Sequence, residues 1–405
     1  MNKKLCGLCA LAAFAAPLTA KAELFDLHVV QPGTGIDKVV GFDSVMDIFH
    51  AYQDGKLNEY FAGYSTTQNA TANLNFRGVP ITLTYTGGGS NLRLQIPAIG
   101  YDKVFAGATQ QEAFTQFKEE MKANAGGLLR NLVTTTVQTT PYDSIAGNPS
   151  SLMNTMADAA FDNPVLNTTN AANASGQNGG FVILNPSAGK HKVKDANGRT
   201  KEASTMSLPL GYTFKFKNNW ALGLDMPLSY TDFDGSVTYS VQLGATLQIP
   251  MFGVKGWLLN VSGRAGATAS EDSLSGGVLY MGSATSSYTF KVKKYEITVL
   301  NMYGYLRDYA LDVDGYNIAY NLRNNVYKNG LSVKIPLSEK YSLSVFGYDT
   351  RYTGSKLYID SYDEVGFNLF KAFKSDSFFT GLNFSAMYSF GDNYKAYKVG
   401  LGLSF

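Results

Sequence analysis

Tyr397-Lys398-Val399-Gly400-Leu401-Gly402-Leu403-Ser404-Phe405 ends the sequence. Tyr397, Val399, Leu401, Leu403 and Phe405 are apolar, and Lys398, Gly400, Gly402 and Ser404 between them are small or polar. Side chains of a strand alternate between its two faces, so the stretch carries one continuous apolar face and one small or polar face. It reads as a strand that closes a barrel in lipid.

The same rhythm extends back to Gly179. Val237, Tyr239, Val241, Leu243, Ala245, Leu247 and Ile249 alternate with Thr238, Ser240, Gln242, Gly244, Thr246 and Gln248. Met206 to Phe216, Trp220 to Tyr230 and Phe378 to Phe390 repeat the pattern, and aromatics stand at the ends of the apolar face, as Trp220 with Tyr230 and Phe378 with Tyr388 and Phe390. Aromatic ends suit the two interfaces of a bilayer. The chain holds 26 Tyr, 25 Phe and 41 Gly but only 16% charged residues. That composition suits a soluble sandwich or a membrane barrel, and the sustained alternation selects the barrel. Twelve strands are predicted, beginning near Gly180, Ala203, Trp220, Ser236, Gly256, Ser275, Tyr295, Ile318, Tyr341, Leu357, Phe378 and Tyr394.

An even strand count puts both ends of a bacterial barrel on the periplasmic side. The expected inward turns are tight and basic, with Lys217, Lys255, Lys291, Lys293, Lys294, Lys340 and Lys374. The outward connections are acidic: Asp232 and Asp234; Glu271 and Asp272; Asp308, Asp312 and Asp314; Asp360, Asp363 and Glu364. A long first outward loop, Ser187 to Glu202, is the exception, with Lys190, Lys192, Lys194 and Arg199. The lumen-facing positions are mostly Thr, Ser, Gln, Asn and Gly, with charges at Lys215, Asp225, Arg264, Glu296 and Lys334. Small polar linings leave a hole that water fills or a plug occupies.

Upstream, residues 23–150 are expected to form a separate α+β domain. Asp43 is a candidate N-cap for a helix with Val45, Ile48, Phe49 and Tyr52 on one face. Strand-like runs follow at Thr71 to Arg77, Ile81 to Thr86 and Asn91 to Pro97, with Gly87-Gly88-Gly89 as a hairpin turn. Thr109 and Glu112 make a capping-box pattern for a helix through about Ala123, and a second helix is expected from Leu128 to about Val137. Residues 151–178 read as a short helix through Ala160 and then, beyond Pro164, a small polar linker. Residues 179–405 are the barrel.

The first 22 residues carry Lys3 and Lys4, an apolar segment from Leu5 to Ala16, and Ala20-Lys21-Ala22, the order of a secretory signal cleaved after Ala22. Cys6 and Cys9, the only cysteines, lie within it, so the mature chain has no disulfide and no thiolate site. The mature charge is −1, from 31 basic and 32 acidic side chains, and gives no reason to expect a nucleic-acid partner.

No catalytic, cofactor or metal site is expected. His28, His50 and His191 are each isolated in sequence, and His191 is read as a solvated loop residue. Asp312-Val313-Asp314-Gly315 lacks the completing acid of a calcium loop, and Gly87-Gly88-Gly89 lacks the Lys-Ser/Thr of a phosphate loop.

The closing strand, with its terminal aromatic and alternate apolar residues, resembles those of bacterial outer-membrane barrels, which are read by the insertion machinery. The order of signal, N-terminal domain, helix and linker, then twelve-stranded barrel, resembles the autotransporters. That resemblance implies an outer-membrane location and a helix and linker threaded through the barrel. It also implies barrel-assembly machinery, periplasmic chaperones, outer-membrane lipid and lipopolysaccharide as partners of a monomer. Crossing an apolar band of about 25 Å takes about 17 helical residues, which Ser151 to Gly179 supplies. Residues 23–150 look compact and non-repetitive, unlike the usual long passenger, so a domain that stays periplasmic or plugs the lumen fits better, with a surface-exposed domain as the remaining alternative. The competing reading is a porin-like channel for small solutes.

Overall fold

Alternation closes this chain on itself. The computed structural model describes residues 25–42, 45–53, 55–123, 127–173, 180–195, 198–216, 220–251, 253–270, 275–313, 316–373 and 381–404. Several sequence expectations lie outside them: the signal with Ala20 and Ala22, Asp43, linker residues 174–178, Lys217, Asn218, Asn219, Glu271, Asp272, Asp314, Lys374, Phe378 and Phe405.

The N-terminal part contains β1 (Phe25–Gln31), β2 (Ile36–Phe42), α1 (Val45–Gln53), α2 (Leu57–Tyr60), β3 (Ala70–Phe76), β4 (Val79–Thr86), β5 (Asn91–Ile96), β6 (Tyr101–Ala106), α3 (Gln110–Ala123) and α4 (Leu128–Thr139). Its six strands form one antiparallel sheet in the order β2-β1-β3-β4-β5-β6. Leu92, Leu94, Phe25 and Phe61 are buried in its core with Ala113 and Phe114 of α3. The capping box forms: Thr109 accepts from the Glu112 N–H at 3.2 Å, and the Glu112 carboxylate accepts from the Ala108 N–H at 2.7 Å. Gly87 to Gly89 all have positive φ and make the expected hairpin turn, and a Cβ on Gly89 would collide with the Thr66 carbonyl.

α5 (Leu152–Asn173) follows, and then the barrel. Its strands are β7 (Gly180–Leu184), β8 (Ser187–Lys194), β9 (Thr200–Lys215), β10 (Ala221–Phe233), β11 (Ser236–Pro250), β12 (Trp257–Ser270), β13 (Ser275–Val292) and β14 (Tyr295–Tyr309). A short ribbon, β15 (Leu311–Val313) and β16 (Tyr316–Ile318), precedes β17 (Arg323–Pro336), β18 (Tyr341–Gly354), β19 (Ser361–Ala372), β20 (Gly381–Gly391) and β21 (Tyr394–Ser404). β7 and β8 are two parts of one strand interrupted at Asn185-Pro186, and both pair with β9 and β21. Proline cannot donate to the ladder, which accounts for the break. With β7 and β8 counted together, twelve antiparallel strands close the barrel.

Outward positions are large and apolar: Leu243 is 61% exposed, Leu331 50% and Leu401 46%. A continuous band of this kind does not survive in water and is solvated by lipid. Trp257, Tyr288 and Tyr341 lie towards one edge of the band, and Tyr239, Tyr280 and Tyr397 towards the other. Among the described residues no helix is long and apolar enough to cross a membrane.

The structure corrects several expectations. The long first outward loop is mostly the β8–β9 hairpin, so Lys190, Lys192 and Lys194 stand on a strand and His191 is buried rather than solvated. The eighth barrel strand begins at Arg323, because Ile318 belongs to the β15–β16 ribbon. The tenth begins at Ser361: Leu357 and Ile359 are buried in a loop whose Tyr358 and Ile359 N–H groups bond the Val137 and Gly147 carbonyls. Asp363 and Glu364 are therefore strand residues. α5 does not stop near Ala160 but continues past Pro164 to Asn173.

Candidate functional site

At about 1.5 Å per residue, the 22 residues of α5 span about 33 Å, enough to run the length of the barrel. Its first turns lie inside. Leu152, Met153, Met156, Ala157, Ala160 and Phe161 are all buried, in one cluster with Leu279, Met281, Leu300, Met302, Leu306 and Val326 of β13, β14 and β17. Those wall residues occupy inward positions, so these strands carry apolar residues on both faces. The wall thins to admit the helix: a Cβ on Gly266 would lie 2.9 Å from Leu152 and 3.0 Å from Met156, and one on Gly330 3.0 Å from the Phe161 ring.

Two ion networks fasten the helix. The Lys328 ammonium lies 2.6 Å from Asp158 of α5 and 2.6 Å from Glu364 of β19, with its side chain only 2% exposed. The rings of Phe161, Tyr348 and Tyr362 surround it at 5.3 to 5.8 Å. Arg264 donates two bonds to Asp225, at 2.6 and 2.7 Å, and a third to the Ala159 carbonyl of α5 at 3.0 Å. Gln242 adds a bond to the Thr155 hydroxyl at 2.9 Å. In a low-dielectric interior such charges persist only when paired, and here the pairing links the helix to opposite parts of the wall.

All five charges expected to face the lumen occupy inward positions, at different depths. Asp225 and Arg264 meet beside α5. Glu296 sits nearer the end where β7 begins, between Lys291 at 3.3 Å and Lys334 at 3.4 Å, and Lys215 lies at that end of β9. Lys328 and Glu364 escaped the sequence reading. Their signal was phase: Asn324, Val326, Lys328 and Gly330 are the inward set of β17, and Lys328 stands among small or apolar neighbours. The helix's own Asp158 could be matched to them only in three dimensions.

Above α5, the N-terminal domain sits on the rim opposite the start of β7 and the end of β21. Tyr142 packs on Phe233, Ser144 bonds Ser275 at 2.9 Å, and Thr134 donates to the Tyr320 carbonyl at 3.0 Å. A buried pair, Arg77 and Asp143 at 2.8 Å, ties the β3–β4 turn to the segment leading into α5. Burial pushes the Asp143 carboxyl up, against the pull of Arg77 and the Ile145 N–H. α4 serves both bodies: Leu128 and Leu132 enter the domain core, whereas Val133 and Val137 pack on the barrel side. The domain is the separate α+β unit expected, with its own sheet and core, and α4 docks it on the barrel.

Opposite the packed wall a cavity of about 260 Å³ remains, bordered by Asp158, Asp162, His191, Thr205, Tyr394 and Lys398. His191 bonds the Tyr394 hydroxyl through Nδ1 at 3.1 Å and Thr205 Oγ1 through Nε2 at 3.0 Å. Among the described residues no group of three metal-ligating side chains converges.

A closed twelve-stranded wall, a lipid-facing belt and a helix whose first turns pack inside the lumen are now in view. This is a closed twelve-stranded transmembrane β-barrel. No protein-family model and no curated protein matches the sequence. Solved structures similar to it include the translocator domain of the autotransporter NalP from Neisseria meningitidis, at 17% identity over 62% of this chain and 96% of that one, TM-score 0.45. The β domain of the Bordetella autotransporter BrkA is similar at 14% identity, over 56% of this chain and 99% of that one, TM-score 0.42. An outer-membrane channel from Pseudomonas putida F1 is similar at 13% identity, over 56% and 97%, TM-score 0.41.

Proposed function

We propose that this protein displays its N-terminal domain at the outer mouth of the barrel, with α5 as a permanent tether that also stoppers the lumen. The observation that carries the reading is the path of α5, from the domain-bearing rim towards the end where β7 begins and β21 finishes. With an even number of strands, both of those strand ends face the periplasm, so the domain faces the medium. Of the periplasmic, lumen-plugging and surface-exposed alternatives, a helix held by Lys328 and Arg264 that leads away from the domain-bearing rim favours the surface-exposed one.

In this reading the barrel is a scaffold and not an enzyme: the one histidine in the barrel half, His191, bonds a hydroxyl and a phenol, and among the described residues no carboxylate hydrogen-bonds it. It works as a monomer inserted by the barrel-assembly machinery after escort by periplasmic chaperones. Solute conduction would require α5 to leave. Protease added to intact cells is expected to cleave within residues 23–150, and protection of that range would overturn surface display. In planar bilayers the full chain should give no conductance steps and a chain lacking residues 23–178 should give them. Steps from the full chain would instead favour a channel.

A further inference from the structure

Most of the outward face of the barrel is apolar, but the seam where β21 meets β8 is not. Lys190, Lys192 and Lys194 alternate with inward His191 and Val193, so all three project outward. Lys395 projects outward from β21 and stands directly opposite Lys192. Facing side chains on one sheet surface lie about 5 Å apart, and like charges there repel. Glu202, 2.7 Å from Lys192, is the single acid shared by Lys192 and Lys190, so the cluster keeps an excess of positive charge. No ion pair with a described residue holds Lys190, Lys194 or Lys395. Arg351, outward on β18, is by contrast held by Asp349 at 2.7 Å.

The depth of the cluster is marked by its neighbours. Tyr397, 61% exposed, faces Lys190 and lies two residues, or about 7 Å, below Lys395. Its ring is 4.9 Å from Tyr388, which stacks on Phe390 at 5.6 Å. Val399 and Leu401 continue the face into the apolar belt. The lysines thus stand at head-group level on the domain-bearing rim, above an aromatic shelf.

We propose that this seam binds a phosphate-bearing lipid of the outer leaflet, with phosphate between Lys190, Lys192 and Lys395 and acyl chains on Tyr388, Phe390 and Tyr397. A free anion would satisfy the lysines but has no use for the shelf, which favours the lipid. The missing counter-charge is then supplied at the one place where the barrel closes, and the ligand bridges β8 to β21. The inference uses the outward orientation argued above, but binding is read on purified protein, so its failure leaves the protease result standing.

The test places the intact chain in phosphatidylcholine nanodiscs carrying lipid A and measures retained lipid A by native mass spectrometry. Wild type should retain it in preference to phosphatidylcholine. Each basic side chain near an anionic surface contributes about fivefold in affinity, so Lys190→Gln/Lys192→Gln/Lys395→Gln should weaken retention roughly a hundredfold. Lys255→Gln at the opposite rim should change nothing. If the triple variant does not fold, Lys395→Gln alone should show the fivefold loss. Equal retention by the variants, or of lipid A stripped of its phosphates, overturns the proposal. Displacement by inorganic phosphate would assign the seam to a free anion and overturn the lipid.

Discussion

The two sides of the lumen are built differently. Where α5 lies against β12 to β14 and β17, inward positions are Leu279, Met281, Leu300, Met302 and Val326, with Gly266 where the backbones approach. On the far side, Thr205, Ser207, Ser229, Ser385 and Ser389 line the cavity. A barrel of twelve strands is too wide for one helix to fill evenly, and burying apolar surface contributes more than spanning a hydroxyl-lined gap. The helix is therefore held to one wall by packing and reaches Glu364 through Lys328. The lesson is that a polar lumen face does not by itself mean an open lumen, since a few in-phase apolar residues on adjacent strands suffice to seat a plug.

That contrast can be broken at its centre. Lys328→Met leaves Glu364 buried and Asp158 half-buried without their cation, and should cost about 3 kcal/mol of helix docking. The measurement is the urea midpoint at which α5 becomes open to protease in the membrane-inserted protein. An unchanged midpoint would mean that packing alone retains the helix. A smaller effect tests the packed wall: Gly266→Val adds methyl groups against Leu152 and Met156 and should cost about 1–3 kcal/mol by overpacking. Conductance steps appearing in this variant would show the stopper loosened. The smallest change is expected across the cavity, where Ser207→Val has room and should move the same midpoint by less than about 0.5 kcal/mol. A loss as large as that of Gly266→Val would mean that both walls grip the helix alike.

Much of the barrel is legible in the sequence, and the departures have local causes. Strand starts at Ser236, Ser275, Tyr295, Tyr341 and Tyr394 coincide with expectation because their turns interrupt a period of two. Ile318 and Leu357 misled because apolar residues in rim loops also alternate when they dock on another part of the chain. β1 carries a legible alternation, with Phe25, Leu27, Val29 and Gln31 buried, that the expected strands do not include. β6 carries none, since in Tyr101–Ala106 only Phe105 is buried, and an edge strand with one anchored side chain leaves no pattern. For the site, Asp225 and Arg264 were named from their phase, but their closeness to Ala159 was not foreseen. Lys328 and Glu364 were missed, the latter because its acidic neighbourhood resembled a loop.

The sequence alone determined that a period-two apolar face runs through the second half of the chain. It also set which side chains meet lipid and roughly where each turn falls, because neighbouring residues encode a strand's two faces directly. Only the tertiary structure decided what fills the lumen and on which rim the N-terminal domain rests. Those outcomes depend on pairs such as Asp158 with Lys328 and Thr134 with Tyr320, which lie 170 and 186 residues apart, and no local period records such a meeting.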